Sequence, residues 1–502
     1  MKISSVIRRF ATLTLLIGIA VPVTGSVDAD RLTAFIEQGM ELWHVPGLSV
    51  AVVTQDEVLF QKGFGSTAIE GGQPVDEHTL FAIASTTKAM VVSGILILVD
   101  EEKLALDDPI IKHIPELHFN DPSLTQQLTV RDLLAHRTGL PSTDYWYFQN
   151  TPLDEQLVRL RTVRAEAPVR TRLIYQNTMF EIAGLLIERL SGQRWDHFLA
   201  KRLWHPIGML ETYGTRGQIG ADQLHTTPYL FFDDRLAVSP WDTPSDNADA
   251  AGSVWSSIHD MSRWAQFLLR DGVTAGGDRL VSEDSITQMF EPQQLSNADD
   301  FYPTVELTKP NWRTYGLAWF QQDFQGRMID FHTGSLAGLI AIIGLDRAGD
   351  KAVIVLGNRD HAEMRHALLW EVMDNSDPGT RRDWNQEVFD LYKGQKNERE
   401  EKWKETLDKR LENTKPSLSP DAYVGTYRSE TLGDILIELS GQDMTFKTKL
   451  FDFEMTHWHL DTFLVENRHW AMRDLATYNI GPDGTVRSFD YIGSTFERVE
   501  EE

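Results

Sequence analysis

Along the chain, apolar and polar positions first organise at residues 48–54 and 57–61, two β-rich runs separated only by Gln55-Asp56, and this predicts a hairpin. A matching pair lies far downstream, at 341–345 and 352–356, around a turn over 346–350. Between the two pairs, residues 89–99 are apolar nearly all round, as a helix sunk in a domain core must be. A second helix is predicted from Thr178-Met179-Phe180-Glu181, which reads as a capping box, to a stop at Ser191-Gly192. The rest of this region reads as helices and long loops. The economical arrangement joins both ends in one antiparallel sheet, inserts a helical lobe between them, and leaves a cleft where sheet and lobe meet.

The pattern changes after Asn375-Ser376-Asp377-Pro378-Gly379. Residues 395–415 are dense in Lys, Glu and Arg and predict an exposed helical connector, and Pro416 to Pro420 mark a boundary. Short strands follow at 423–427, 435–439, 444–447, 462–465 and 489–492, several of them separated by turns such as Gly441-Gln442-Asp443 and Gly481-Pro482-Asp483-Gly484. This is the signature of a small all-β barrel or sandwich. Within it His457 and His459 share one face, but two histidines without a third ligand are packing or surface residues rather than a metal site.

Composition narrows the partners. Against 48 Lys and Arg stand 74 Asp and Glu, and a net charge of -26 disfavours nucleic acid and anionic membranes. The chain contains no cysteine, which removes disulfides, thiol catalysis, cysteine-ligated metal and a lipid-modified cysteine. Lys2, Arg8 and Arg9 precede an apolar stretch at 11–23 that is short for a bilayer span, and Val27-Asp28-Ala29 places small residues where a signal peptidase reads. The expectation is an export signal over residues 1–29, cut after Ala29, with Gly25 as the other possibility and an uncleaved anchor as the competing reading. The destination is then periplasmic or extracellular, with no membrane span left in the mature chain.

The candidate chemistry begins at Ser85-Thr86-Thr87-Lys88, which opens the long apolar helix. A serine hydroxyl needs a base before it attacks. Residues i and i+3 share a helix face, so Lys88 can reach Ser85, and an amine entering an apolar interior loses basicity. Two further elements accompany it: Tyr175-Gln176-Asn177 just ahead of the second helix, and His332-Thr333-Gly334 just ahead of the downstream hairpin.

Together these resemble the Ser-x-x-Lys, Tyr-x-Asn and Lys-Thr-Gly set of class C β-lactamases and the related penicillin-binding-protein-like esterases and D-peptidases. Val45-Pro46-Gly47-Leu48, the stretch from Leu133-Leu134-Ala135-His136 to Gly139-Leu140-Pro141, Ala251-Gly252-Ser253 and Tyr315-Gly316-Leu317-Ala318-Trp319 extend the resemblance over about residues 30–370. Tyr423-Val424-Gly425-Thr426-Tyr427 and His457-Trp458-His459 are similar to the lipocalin-like accessory domain of such enzymes. The resemblance implies an α/β (α+β) β-lactamase/transpeptidase-like fold, with an antiparallel sheet and a helical lobe, followed by a small barrel. The boundaries are 30–375 for the catalytic domain, 376–415 for the connector and 416–502 for the β-domain.

The resemblance also assigns roles. Ser85 is the nucleophile, Lys88 and Tyr175 move its proton with either as the base, and Asn177 bonds Lys88 or a substrate amide. The backbone N–H groups of Ser85 and Ser335 form the oxyanion hole, and His332, Thr333 and Gly334 line the substrate site. No cofactor or metal is implied, and the partner is a small-molecule or peptide substrate. His332 replaces a permanent cation suited to a carboxylate with a group that protonates near pH 6.5 if unperturbed. D-amino-acyl peptides or short esters are therefore expected. A β-lactamase or D-Ala-D-Ala carboxypeptidase is the second enzymatic reading, and a non-catalytic penicillin-recognising sensor module is the reading from another class. A literal Ser245-Asp246-Asn247 sits in a Pro/Asp/Asn-rich loop and reads as coincidence or cleft rim.

Overall fold

The computed structural model describes residues 27–232, 234–239, 248–377, 379–441, 443–467 and 472–500, so residues 1–26 of the expected leader and Ser245-Asp246-Asn247 lie outside the described residues. The strand Gly47–Val53 pairs antiparallel with Val58–Gly65 on one side and with Lys351–Gly357 on the other. Leu339–Asp346 follows, which joins the two ends of the catalytic domain in one sheet. The sheet then continues through Arg327–Leu336, Phe320–Phe324, Arg313–Tyr315 and Gln294–Leu295 to eight strands.

Every residue of Gly47–Val53 is buried, which is why the sequence shows a continuous apolar run there rather than an alternation. Its two faces nonetheless serve different cores. Val50, Val52, Ile340 and Ile342 pack with the helices Ala29–Trp43 and Met364–Met373, whereas Ala51, Val53, Ala341 and Ile343 pack with the helical lobe. The lobe is centred on the helix Thr87–Asp100, whose residues 87–98 are all buried. Asp28 accepts from the Arg31 N–H at 3.0 Å and caps Ala29–Trp43, so a cut after Gly25 keeps that cap and a cut after Ala29 removes it.

One predicted detail is corrected. The helix Thr178–Ser191 has Asn177, not Thr178, at its N-cap, and the Asn177 side chain does not cap it; the Gln176 side chain accepts the Thr178 N–H at 3.1 Å instead. Asn177 is committed elsewhere, and Glu181 turns inward to accept from Tyr147 and Gln156 instead of folding back on the helix start.

The C-terminal strands close into an eight-stranded antiparallel barrel in sequence order, sealed by pairing of Gly425–Ser429 with Ser494–Arg498. Three of its strands, Asp452–His459, Met472–Ile480 and Ser494–Arg498, are not among the runs expected from the sequence. In the first of them exposed Asp452, Glu454 and Thr456 alternate with buried Phe453 and Met455, which dilutes the apolar signal. The interior is filled by aromatic rings, among them Tyr427, Phe446, Phe463, Tyr478, Phe489 and Phe496. A bulge separates His457 from His459; His457 bonds the Leu460 carbonyl nearby, and His459 accepts from the Leu411 N–H beyond the connector helix. The connector is the helix Trp384–Asp408, anchored by buried Trp384 and Val388, with Arg410 just beyond its end donating to the Trp458 carbonyl at 2.6 Å. Among the described residues no helix is long and apolar enough to cross a membrane.

The lobe also contains an ion cluster around a buried carboxylate that fixes a loop leading to the cleft. Asp132, fully buried, accepts from Arg137 at 2.6 Å and from Arg170 at 2.6 and 2.9 Å. The Arg170 N–H in turn donates to the Arg137 carbonyl, and the Ile174 N–H to the His136 carbonyl, which brings in the segment carrying Tyr175. Asp132→Ala leaves two guanidiniums without their shared anion, and we expect a loss of roughly 3–5 kcal/mol in the unfolding free energy, read by urea denaturation. A loss below about 1 kcal/mol contradicts this role.

Candidate active site

Ser85 sits on a single 3-10 turn, Ala84–Thr86, that feeds straight into the helix Thr87–Asp100. The turn is strained: Ala84 has φ +47°, a left-handed conformation that costs a residue with a Cβ roughly 1–2 kcal/mol. That conformation leaves Ser85 half-buried at the end of the buried helix, with Lys88 one turn below.

The Lys88 amine lies 3.0 Å from Ser85 Oγ, 2.7 Å from Asn177 Oδ1 and 2.6 Å from the Ala251 carbonyl. It is fully buried beside the rings of Tyr175 and Phe180. Burial lowers its pKa to about 7, against a smaller upward pull from the Asp144 and Glu181 carboxylates. A neutral amine has two N–H donors and one lone pair. Asn177 Oδ1 and the Ala251 carbonyl accept the two donors, which leaves the lone pair for the Ser85 hydroxyl.

Tyr175 is placed by a rigid support. The Gln176 N–H donates to His136 Nδ1 at 3.2 Å, and the Gln176 side chain is held by the Pro141 carbonyl and by Thr143. The His136 ring lies 4.1 Å from the Tyr175 ring, centroid to centroid. Burial pushes the Tyr175 hydroxyl well above its usual pKa, opposed by a hydrogen bond with Ser85. The phenol is thus neutral at physiological pH, whereas the Lys88 amine, with a pKa of about 7, is in part free there.

The strand Arg327–Leu336 runs against the nucleophile. A Cβ on Gly334 would lie 2.3 Å from the Ile83 carbonyl oxygen and 3.1 Å from the Ser85 nitrogen, so only glycine lets this backbone reach the Ser85 amide. From behind, Arg365 donates to the Gly334 carbonyl and to Ser335 Oγ, and its charge is met by Glu363 at 3.0 Å. The Thr333 hydroxyl is bonded to Tyr302.

His332 corrects the sequence-based expectation. It is 1% exposed, its Nε2 lies 3.2 Å from the Tyr315 hydroxyl, and its Nδ1 faces the Thr333 carbonyl. Burial lowers its pKa to about 3, helped by Lys88. It is a neutral ring packed behind Tyr175, not a group that meets a substrate carboxylate or titrates near pH 6.5.

Ser85, Lys88, Tyr175 and Asn177 therefore converge, with the backbone of Gly334 and Ser335 beside them. Four participants did not stand out as site residues in the sequence: His136, Asp144, the Ala251 carbonyl and Arg365. His136 and Ala251 lie in stretches of family resemblance, but nothing marks Asp144 beyond a Pro-Ser-Thr-Asp loop. Its Oδ1 accepts from Asn177 Nδ2 at 2.9 Å, and its side chain is at the exposed rim.

A sequence profile of the beta-lactamase family matches residues 32–376. The chain belongs to the beta-lactamase family. It is a serine hydrolase of that family, and a second profile, for a domain of unknown function (DUF3471), matches residues 409–499. The chain is 28% identical over 388 residues to an unguisins hydrolase of Aspergillus campestris, covering 71% of this chain and 67% of that protein. It is 24% identical over 340 residues to Protein flp of Staphylococcus aureus, covering 66% of this chain and 63% of that protein. The chain thus spans about two thirds of the length of these curated relatives. Among solved structures, the octameric penicillin-binding protein homologue from Pyrococcus abyssi superposes with a TM-score of 0.62 at 20% identity, over 94% of this chain and 100% of that one. The D-amino acid amidase from Ochrobactrum anthropi SV3 superposes with a TM-score of 0.55 at 21% identity, over 69% of this chain and 100% of that one. For this β-lactamase-family hydrolase these likenesses fix the fold: sheet, helical lobe and closed C-terminal barrel.

Gly334→Ala tests the close approach. The strand must withdraw from Ser85, and we expect kcat for a small ester to fall on the order of 10²–10³-fold, the usual loss of one oxyanion donor, with the fold retained by circular dichroism. A kcat within about threefold of wild type contradicts the placement of this backbone at the reacting carbonyl.

Proposed function

We propose that this hydrolase is exported and cleaves aminoacyl amides or short esters, through an acyl-enzyme on Ser85. As Ser85 Oγ attacks the carbonyl carbon, its proton passes to the Lys88 lone pair. The oxyanion forms between the backbone N–H groups of Ser85 and Ser335, donors that typically stabilise such a charge by about 3 kcal/mol each. The proton leaves with the amine or alkoxide by way of the Tyr175 hydroxyl. Water then attacks the ester of Ser85 and gives its proton to the same pair, which restores the free serine.

The observation that carries the substrate class is the charge at the rim. Among the described residues, the basic side chains bonded to site residues are Lys88 and Arg365, both buried, and Arg365 is neutralised by Glu363. The exposed charge bonded to them is the carboxylate of Asp144, on Asn177. Such a rim suits a substrate with a free ammonium near the scissile carbonyl, and it is poorly matched to the carboxylate of a β-lactam or a D-Ala-D-Ala terminus. The D-amino acid amidase and a D-stereospecific amidohydrolase of Streptomyces with the same fold support an amide bond and D configuration. A sensor module has no need of a serine held 3.0 Å from an amine of lowered basicity.

A fluorophosphonate probe should label the wild type at Ser85 and leave Ser85→Ala unlabelled. D-phenylalanine amide should be hydrolysed with kcat/KM above that of its L isomer. It should also exceed its N-acetyl derivative by roughly ten- to a hundredfold, the worth of one charged hydrogen bond, and Asp144→Asn should erase that second preference. Equal rates with and without the free amine, or a preference for nitrocefin, contradict this substrate class.

A further inference from the structure

One short turn of the catalytic domain touches both the cleft and the barrel. The helical turn Tyr145–Phe148, with its flanking residues, forms a strap over residues 142–149, and the side chains of Asp144, Tyr145, Trp146, Tyr147 and Gln149 divide in two directions. Inward, Asp144 holds the Asn177 amide at 2.9 Å, and the Tyr147 hydroxyl donates to buried Glu181 at 2.8 Å. Outward, the Trp146 indole N–H donates to the Thr431 carbonyl at 2.7 Å, and the Gln149 amide to the Asp434 carbonyl at 3.0 Å. Tyr145 packs against the aromatic core of the barrel. Trp146 and Gln149 are each 1% exposed, so these are buried donors with built partners, not surface contacts.

The barrel side is shaped for the contact. Thr431 lies in the turn between Gly425–Ser429 and Gly433–Ser440, and its hydroxyl meets Thr162 at 3.0 Å. Gly433 has φ +90°, and a Cβ there would sit 2.4 Å from the Arg159 guanidinium, so the turn presses directly on the catalytic domain. Because the strap takes its bonds from backbone carbonyls, it reads the path of this turn rather than its side chains.

We propose that the barrel is a working part of the active site: its turn at 431–434 clamps the strap, and the strap holds Asp144 where it orients the Asn177 amide towards Lys88. Asn177 must present its oxygen to the amine, and the Asp144 carboxylate secures this by accepting the –NH2 end. Asp144 is a positioning residue in this role, since it acts on the reacting groups through Asn177. This role is independent of whether Asp144 also receives a substrate ammonium.

The test uses the full chain and p-nitrophenyl acetate, which has no ammonium, so the outcome does not depend on the substrate class proposed above. The double variant Trp146→Phe/Gln149→Leu removes both donors to the barrel without touching a group at the reacting atoms. We expect kcat to fall about tenfold with KM within about twofold, as for a displaced positioning group. We also expect the acidic limb of the pH profile, where Lys88 takes up its proton, to move to lower pH. The groups facing Lys88 are Tyr175, His136, His332, Glu181 and Asp144. Burial holds the phenol and both imidazoles neutral, so retreat of the Asp144 carboxylate removes charge that favours the ammonium form. Asp144→Asn should reproduce both effects, and the triple variant should be no worse than Asp144→Asn alone. Unchanged kcat and pH limb in a folded double variant, or losses that simply multiply, overturn the proposal. Hydrogen exchange on the wild type gives a second reading that needs no variant. Amides of the strap should open with the same urea dependence as those of Gly433–Ser440, and strap protection that outlasts the opening of the barrel overturns it.

Discussion

An ammonium ion cannot be left in an apolar interior without a counter-charge, and this constraint organises the catalytic domain. Lys88 is buried against Tyr175 and Phe180, and the three groups within hydrogen-bond distance of its amine are all uncharged: a serine hydroxyl, an amide oxygen and a backbone carbonyl. Had a carboxylate occupied any of these places, the amine would be held as a cation and useless as a base. The carboxylates that do act on it do not bond it: Asp144 stands behind Asn177, and Glu181 is taken up by the Tyr147 hydroxyl and the Gln156 amide. Burial moreover raises the Glu181 pKa to about 8, so its pull on the lysine is weak at neutral pH. The site thus obtains a free base from exclusion of charge rather than from its addition.

That exclusion needs several distant segments at once. The buried helix Thr87–Asp100 supplies the amine, the turn Asp249–Ala251 a carbonyl, the loop tied down by Asp132 the phenol, and the strand Arg327–Leu336 the backbone beside the nucleophile. Strain at Ala84 and the bare backbone of Gly334 are the local costs of bringing them together. The barrel joins this set through the strap, which explains why an interior packed with aromatic rings can matter to chemistry it never touches.

Much of this was legible in the sequence because it is local. The apolar run at 89–99, the two hairpins and the three motifs each show themselves within a dozen residues, and the two hairpins do join in one antiparallel sheet, through Gly47–Val53 and Lys351–Gly357. What stayed hidden is set by depth and by partners far along the chain. His332 looked like a substrate-facing group because the sequence does not reveal that Tyr315 and Tyr175 cover it. The Thr178-x-x-Glu181 pattern looked like a capping box because it does not reveal that Tyr147 and Gln156 claim the carboxylate. Asp144 was silent for the same reason, and the three unrecognised barrel strands were obscured by the polar residues that alternate with their buried ones.

The central claim, that burial brings Lys88 to a pKa of about 7 so that much of it is free amine at neutral pH, is open to direct titration. Protein labelled with 13C at the lysine ε carbon, with the Lys88 resonance assigned by its loss in Lys88→Met, gives the protonation midpoint without reference to any substrate. The ordinary value is 10.5 and burial lowers it to about 7, so the folded protein releases this proton earlier than the unfolded chain, and the basic form is lost as pH falls through about 7. The account predicts a midpoint near 7 that moves back towards the ordinary lysine range on unfolding in urea. A folded-state midpoint near 10 would contradict it, and would return the role of base to Tyr175.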